Sequence, residues 1–182
     1  DPDREARIEA ASRVRLGLFG FQYNIKDLIE RYQTAPDFFF FRNRGEARIR
    51  GLELEIQAQL GWHLSLESTA TVTRGIALDD DAALDDMPPA TLTLGLRRPV
   101  TTRGFVQLRG SFYDADGRPG PTEVRMPGYT VVDALAGATL APWVDLNFNV
   151  RNLLDRTYPA STDPRAVPAQ GISAVLTANL RF

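Results

Sequence analysis

Apolar and polar residues alternate along most of this chain, and the alternation is strictest in its last forty residues. A period of two puts successive side chains on opposite faces of a strand. Each of the two terminal runs therefore predicts a strand with one apolar and one mostly polar face. The apolar positions are Val144, Leu146, Phe148 and Val150 in the first run, and Ile172, Ala174, Leu176, Ala178, Leu180 and Phe182 in the second.

The same pattern predicts strands at residues 13–25, 46–60, 62–74, 90–98, 104–113, 129–141, 144–151 and 172–182, with a weaker candidate at 5–11. No 3.6-residue period persists over three turns, so helix content is expected to be low. Long connections at 26–44, 75–89, 114–128 and 153–170 alternate with short turns. Long loops at one edge and short turns at the other are typical of outer-membrane barrels. The predicted fold class is all-β: an antiparallel up-and-down β-meander, part of a transmembrane β-barrel.

Two groups of aromatic residues fall at opposite ends of these strands. The first, beside the short turns, comprises Trp62, Phe105, Trp143 and Phe182. The second, toward the long loops, comprises Tyr23, Phe112, Tyr113, Tyr129 and Tyr158. Two aromatic levels that flank an aliphatic band predict interfacial girdles. The polar face of strand 46–60 carries Glu53, Glu55, Gln57 and Gln59, which need water because burying an unpaired carboxylate costs several kcal/mol.

Composition narrows the functional classes. The 182 residues suffice for one domain, and a net charge of −2 gives no electrostatic case for a nucleic-acid partner. The absence of cysteine excludes disulfides and thiolate metal sites. No apolar run approaches the ~20 residues of a spanning helix. The first residues lack the apolar segment of a signal peptide, so a membrane protein that begins here is expected to be a fragment or a processed product.

Several short motifs occur in a fixed order along the chain. They are Phe21-Gln22-Tyr23-Asn24-Ile25-Lys26-Asp27-Leu28-Ile29, Asn43-Arg44-Gly45-Glu46-Ala47, Arg50-Gly51-Leu52-Glu53-Leu54-Glu55, Asp86-Met87-Pro88-Pro89, Pro127-Gly128-Tyr129-Thr130-Val131-Val132-Asp133, and Asn152-Leu153-Leu154-Asp155-Arg156-Thr157-Tyr158. Together with the terminal Phe182, this order resembles the carboxy-terminal part of a TonB-dependent outer-membrane receptor. The last motif, N-L-x-D-x-x-Y, is the most specific, and we expect it to be a strand-end turn in which Asp155 binds backbone groups.

The resemblance implies that residues 1–182 are the C-terminal segment of a 22-stranded barrel, with the plug domain and the earlier strands outside this chain. It implies energy-coupled uptake of a scarce ligand such as an iron–siderophore complex, in the outer membrane of a Gram-negative bacterium. The implied partners are outer-membrane lipid, the plug and the remaining barrel, TonB through the missing N-terminal part, and the barrel-assembly machinery through the C-terminal strand. No cofactor, metal site or catalytic residue is expected.

Two other functional classes stay open. One is a self-contained small outer-membrane barrel with a structural or adhesive role. The other is a small outer-membrane lipid-modifying enzyme, which needs a nucleophile beside a base. The only histidine is His63, so Ser65 or Ser68 with His63 are the candidates for such a pair.

The candidate binding residues lie in the long connections. Phe38, Phe39, Phe40 and Phe41 are expected either to continue a strand above the membrane or to contact an apolar or aromatic ligand, while Arg42 and Arg44 are candidates for an anionic ligand. The acidic group Asp79, Asp80, Asp81, Asp85 and Asp86 fits a solvated loop better than a Ca²⁺ site, because it lacks EF-hand spacing. Phe182 and Leu180 are expected to form an assembly signal, with Trp62 and Trp143 as girdle residues.

Overall fold

The computed structural model describes residues 14–36 and 38–182, and the candidate strand at 5–11 lies outside these residues. The described part contains ten strands and one 3₁₀ turn, Gly61–His63. The strands are β1 (Val14–Lys26), β2 (Ile29–Ala35), β3 (Phe38–Asn43), β4 (Glu46–Leu60), β5 (Leu64–Ala77), β6 (Thr91–Thr101), β7 (Gly104–Tyr113), β8 (Tyr129–Ala141), β9 (Val144–Arg151) and β10 (Ser173–Leu180).

Eight of these strands form one antiparallel sheet in the order β1-β4-β5-β6-β7-β8-β9-β10. Sequential neighbours pair throughout, apart from the β2–β3 hairpin inserted between β1 and β4. The prediction of an all-β antiparallel meander is therefore confirmed. β1 and β10 are the edge strands, and no pairing joins them within the described residues, so the sheet is an open wall.

The strand predictions differ from the structure in three places. β5 and β6 run further than predicted, to Ala77 and Thr101, and the last strand ends at Leu180. The connection 26–44 is largely a hairpin, in which β2 and β3 pair Tyr32 with Phe40 and Gln33 with Phe39. The phenylalanine run therefore lies in a strand, but in a separate two-stranded sheet, and its place above the membrane stays a prediction. Because all four positions in that run are apolar, its sequence carries no alternation from which a face can be read.

The register of the eight-stranded sheet separates two faces. On the apolar face, Leu52 pairs with Val72 and Leu54 with Ala70. On the polar face, Glu53 pairs with Thr71 and Glu55 with Thr69. Large apolar side chains are exposed on the apolar face, among them Leu16, Leu18, Leu52, Leu94, Leu108, Phe148 and Leu176. A continuous exposed apolar surface of this kind requires an apolar environment.

The aromatic girdle is only partly as predicted. Register places Tyr23, Tyr113 and Tyr129 on the polar face, and Tyr158 stacks on Tyr129 with ring centroids 4.3 Å apart. Phe105 also lies on the polar face, where the Arg97 guanidinium carbon sits 3.5 Å from its ring centroid. The prediction that these five residues belong to interfacial girdles is therefore wrong, because alternation within one strand does not show which of its two faces is the apolar face of the sheet.

The short-turn edge keeps two exposed tryptophans. Trp62 and His63 adopt positive φ angles of 61° and 58° in the turn between β4 and β5, and Trp62 is 85% exposed. Trp143 occupies the turn between β8 and β9 and is also exposed. Both lie at the edge that the sequence predicts, and their role as girdle residues stays a prediction. No helix among the described residues has the length and apolarity needed to cross a membrane.

Candidate functional site

The long connections at one end of the sheet pack against one another in a loop layer, formed by the β2–β3 hairpin and residues 78–90, 114–128 and 152–172. A small apolar core anchors this layer to the polar face of the sheet. Its buried members are Ala47, Ala77 and Leu84, and Ile25, Leu28, Ile49 and Met87 pack against them. A Cβ on Gly75 would lie 2.6 Å from Met87 Sδ and 3.2 Å from Leu84 Cβ, so a side chain there would require the packed loop to shift.

A buried ion-pair cluster, comprising Glu30, Arg42, Arg44, Asp79 and Asp80, joins the hairpin to the β5–β6 loop. Glu30 and Arg44 are only 4% and 8% exposed. Arg42 Nη2 donates to Glu30 Oε2 at 2.7 Å, and Arg44 Nη1 lies 3.7 Å from the same oxygen. Arg44 also forms ion pairs with Asp79 and Asp80. Carboxylates from two segments of the chain, the hairpin and the β5–β6 loop, therefore neutralise the charge of Arg44.

Two side chains in this cluster, Asp80 and Arg42, have shifted pKa values. The backbone N–H of Ala82, followed by the hydrogen bond from Arg44, holds the pKa of Asp80 below its usual value of 3.8. The hydrogen bond to Glu30 raises the pKa of Arg42.

A second contact network crosses three loops at Thr122 and Glu123. Arg31 Nη2 donates to the Thr122 hydroxyl oxygen at 2.8 Å, and that hydroxyl donates to Asp85 Oδ2 at 2.8 Å. Glu123 Oε1 accepts the Asp86 N–H at 3.0 Å and a short bond from the Thr162 hydroxyl. These hydrogen bonds therefore link the hairpin and the three loops of the loop layer through Thr122 and Glu123.

The hairpin presents its phenylalanines unequally. Phe39 is half-buried between two guanidinium groups, with Arg31 Cζ 4.9 Å and Arg165 Cζ 5.1 Å from its ring centroid. Phe38, Phe40 and Phe41 are exposed. Phe39 thus holds the hairpin against the β9–β10 loop by cation–π contacts, while the other three remain accessible.

A cleft of about 570 Å³ opens between the hairpin and the other loops. Phe41 and Ile29 give it an apolar wall, and Arg31 is the basic residue of its lining. Its carboxylates are Glu30, Asp85, Asp86, Glu123 and Asp163. A volume in this range suits a small molecule, and the wall combines aromatic surface with oriented polar groups.

A second cleft of about 470 Å³ lies on the polar face below the loop layer. Tyr113, Tyr129 and Tyr158 form a continuous stack, with successive ring centroids 4.5 and 4.3 Å apart. Arg109 and Arg151 line the same cleft. Aromatic faces beside guanidinium groups can hold a planar or anionic group.

The N-L-x-D-x-x-Y motif fixes the start of the β9–β10 loop. Asn152 is 3% exposed and has a φ of 49°. Its side-chain amide donates to the carbonyl oxygens of Arg156 and Gln170 and accepts the Arg156 N–H. Asp155 Oδ1 accepts the Ile172 N–H at 2.9 Å, so the carboxylate binds backbone as expected, although across the loop. The motif therefore joins both ends of the 152–172 loop.

The two candidate serines, Ser65 and Ser68, lie in different surroundings. The Ser65 hydroxyl donates to Gln59 Oε1 at 2.9 Å. Ser68 lies three positions further along β5, so it points to the opposite face from Ser65. Within the described residues, no group of three or more His, Asp or Glu side chains is arranged to hold a metal ion.

Comparison with known proteins identifies the fold family. Residues 6–153 match the family described as TonB dependent receptor-like, beta-barrel. The chain belongs to the TonB-dependent receptor-like β-barrel family. The catecholate siderophore receptor Fiu of Escherichia coli K12 is 25% identical over 177 residues, which cover 89% of this chain. The chain spans about a quarter of that relative's length, 23%.

Solved structures of TonB-dependent receptors show the same wall. The copper transporter OprC superposes with a TM-score of 0.85 at 18% identity, over 94% of this chain and 29% of OprC. The siderophore receptor PiuA from Acinetobacter baumannii superposes with a TM-score of 0.62 at 21% identity, over 91% of this chain and 26% of PiuA. At these identities, the likeness concerns the fold. The named relatives are receptors and transporters.

The candidate binding residues predicted from the sequence differ in their exposure and in their contacts. Phe41 lines the larger cleft, Arg42 has a half-exposed side chain bound to Glu30, and Arg44 is buried. Of the acidic group, Asp79 and Asp80 pair with Arg44 and Asp85 binds Thr122, so the loop is packed as well as solvated. Sequence reasoning misses Arg31, Thr122 and Glu123. The one local signal for the last two is Gly120-Pro121, a turn-forming pair directly before them.

Proposed function

We propose that this chain is the C-terminal segment of an outer-membrane receptor that takes up a scarce, metal-bearing ligand such as an iron–siderophore complex by TonB-coupled transport. One observation carries the proposal: the interlocked loop layer encloses a cleft at the single end of the wall where all the long connections meet. The exposed apolar face supports placement in the outer membrane of a Gram-negative bacterium. The relatives named siderophore receptors support the ligand class.

The partners follow from the two open edges and the polar face. Among the described residues, β1 and β10 each have one edge without a pairing strand, and we propose that these edges pair with the remaining barrel strands of the full receptor. The polar face would contact the plug domain, and TonB would act through a part of the receptor outside this chain. We further propose that the terminal strand, with Leu180 and Phe182, is read by the barrel-assembly machinery.

The ligand contacts we propose centre on Phe41, because it is the phenylalanine of the run that lines the cleft. Phe38, Phe40 and Arg42 stand at the accessible rim of the hairpin. Arg44 is buried in the ion-pair cluster, so contact between Arg44 and a ligand requires the loop layer to open. Capture would therefore depend on Phe41, and the rim residues outside the cleft would contribute little.

The test uses the full-length receptor in a strain that lacks its chromosomal copy. Cells would be fractionated, and uptake measured with radioactive iron bound to a catecholate or a hydroxamate siderophore, and with copper. We expect an outer-membrane protein that transports one iron complex. Phe41→Ala should weaken binding of that complex at least tenfold. Phe38→Ala is the matched control, since Phe38 is equally exposed and does not line the cleft.

Three results would count against the proposal. If the protein is recovered outside the outer membrane, the proposed location is wrong. If the receptor transports copper and takes up no iron complex, the proposed ligand class is wrong. Equal losses in Phe41→Ala and Phe38→Ala would show that the cleft is not the binding surface.

A further inference from the structure

An arginine cluster lies on the apolar face of the sheet at its loop end. Arg50 on β4 is directly opposite Arg74 on β5, and Arg48 lies two positions from Arg50 on the same face. Like charges directly opposite each other on a sheet are destabilising. Arg48 Nε donates to Asn24 Oδ1 at 3.1 Å. None of the three arginines forms an ion pair with a described residue, so the cluster calls for an anion from outside.

The height of the cluster can be judged from the register. Below Arg50 and Arg74, the apolar face continues through Leu52 opposite Val72 down to Leu60 opposite Leu64. The eight residue-to-residue steps from Leu52 to Leu60, at ~3.3 Å each and tilted by about 40°, span roughly 20 Å of membrane thickness. The two arginines therefore stand at the upper border of the apolar band, where lipid headgroups meet the acyl chains.

A groove of about 410 Å³ lies beneath the two guanidinium groups. Its floor includes Gly20, Leu52 and Val72, and its only charged lining residues are Arg50 and Arg74. Gly20 has no side chain to fill the groove, and a Cβ there would meet only Leu52 Cδ1 at 4.0 Å. An apolar trough with two cations at one end matches an acyl chain that carries a phosphate.

A separate cavity of about 360 Å³ above the groove has mixed charge. Arg48, Arg50, Arg74 and Arg118 line it together with Asp81, Asp114 and Asp116. Asp114 and Asp116 already accept backbone N–H groups of their own loop. In this upper cavity carboxylates stand beside the arginines, whereas no carboxylate lines the groove below, so the phosphate is assigned to the groove.

We propose that Arg50 and Arg74 bind the phosphate of a phosphorylated lipid of the outer leaflet, with one acyl chain lying along Gly20, Leu52 and Val72. Arginine suits this role because its guanidinium group donates two parallel hydrogen bonds to a phosphate. The apolar floor favours a lipid over free phosphate. The inference rests on the membrane placement proposed above and is independent of the transported ligand.

The test uses the full-length protein, delipidated in detergent and examined by native mass spectrometry. The probe is diphosphoryl lipid A, compared with its dephosphorylated form and with inorganic phosphate. We expect the double variant Arg50→Gln, Arg74→Gln to lower lipid affinity at least tenfold. Arg98→Gln is the matched control, because Arg98 lies on the same face toward the short-turn end of β6 and should leave affinity unchanged.

A steric variant tests the acyl part of the site. Gly20→Leu fills the trough without meeting backbone, so it should weaken lipid binding and leave outer-membrane yield unchanged. Equal binding of the dephosphorylated lipid, full competition by inorganic phosphate, or an equal loss in Arg98→Gln would each overturn the inference. A protein found in the outer membrane that binds no phosphorylated lipid at the groove would refute this site and leave the proposed uptake function standing.

Discussion

Replacing Glu30 by glutamine removes the buried negative charge of the ion-pair cluster while keeping the side chain's shape. Glu30 Oε2 lies 3.7 Å from Arg44 Nη1, and both side chains are almost fully buried. At an effective dielectric constant of about 20, two charges at this separation interact by about 4 to 5 kcal/mol. Asp79 and Asp80 still face Arg44 after the substitution, so we expect a net loss of about 3 kcal/mol in the stability of the loop layer.

Hydrogen exchange measures this loss locally. The Arg44 N–H donates to the Leu28 carbonyl oxygen at 2.7 Å, and the Leu28 N–H donates to the Gly45 carbonyl oxygen at 3.2 Å, which closes the base of the hairpin. A loss of about 3 kcal/mol corresponds to roughly 100-fold faster exchange at these two amides. Exchange in the β7–β8 ladder should not change.

Glu46→Gln is the matched control for this prediction. Glu46 lies near the same hairpin and pairs with Lys26 at 3.9 Å, with both side chains well exposed. Exposed ion pairs contribute little, so this variant should exchange like the wild type. If Glu30→Gln exchanges no faster than Glu46→Gln, the buried cluster does not hold the loop layer together.

Three further outcomes follow from the packing. Asn152→Ala strands buried backbone groups and should lower unfolding stability by about 3 kcal/mol, seen as a lower urea midpoint; an unchanged midpoint would contradict the bonds assigned to it. Gly51→Ala should reduce outer-membrane yield, because its Cβ would lie 2.4 Å from Phe21 Cζ, whereas Gly20→Ala should not. Because the folded-state pKa of Asp80 is depressed, its contribution is fully present above 3.8 and is lost as pH falls from 3.8 through the lower folded-state pKa; protease cleavage of residues 78–90 should rise over that interval, and Asp80→Asn should abolish the rise.

The strands could be predicted from sequence because the sheet has one apolar and one polar face, so that apolar and polar residues alternate along every strand. β4 shows this best: the prediction of 46–60 and the observed Glu46–Leu60 agree. β1 is harder, since Leu16 and Leu18 are apolar on one face while Phe19 and Phe21 are apolar on the other. Only pairing with β4, which sets Phe19 opposite Glu53, assigns the aromatic residues to the polar side.

The loop layer could not be predicted in the same way. The hydrogen bonds between Arg31 and Thr122 join residues 91 positions apart, and those between Thr122 and Asp85 join residues 37 apart. No periodic pattern relates such partners, because each contact depends on the path of two irregular segments. The same limit explains why Arg44 looks from sequence like a free cation for a ligand, while the structure surrounds it with carboxylates.

The Thr122 and Glu123 contacts also limit how far the sequence of one loop can change independently of the others. Since Glu123 contacts Asp86 in one loop and Thr162 in another, a change in any one loop alters the fit of its neighbours. Antibodies or phages that recognise this exterior would meet a discontinuous epitope drawn from several distant segments. Grafting a single loop from a related receptor would break contacts in the rest, so these loops are expected to be inherited and exchanged as a set.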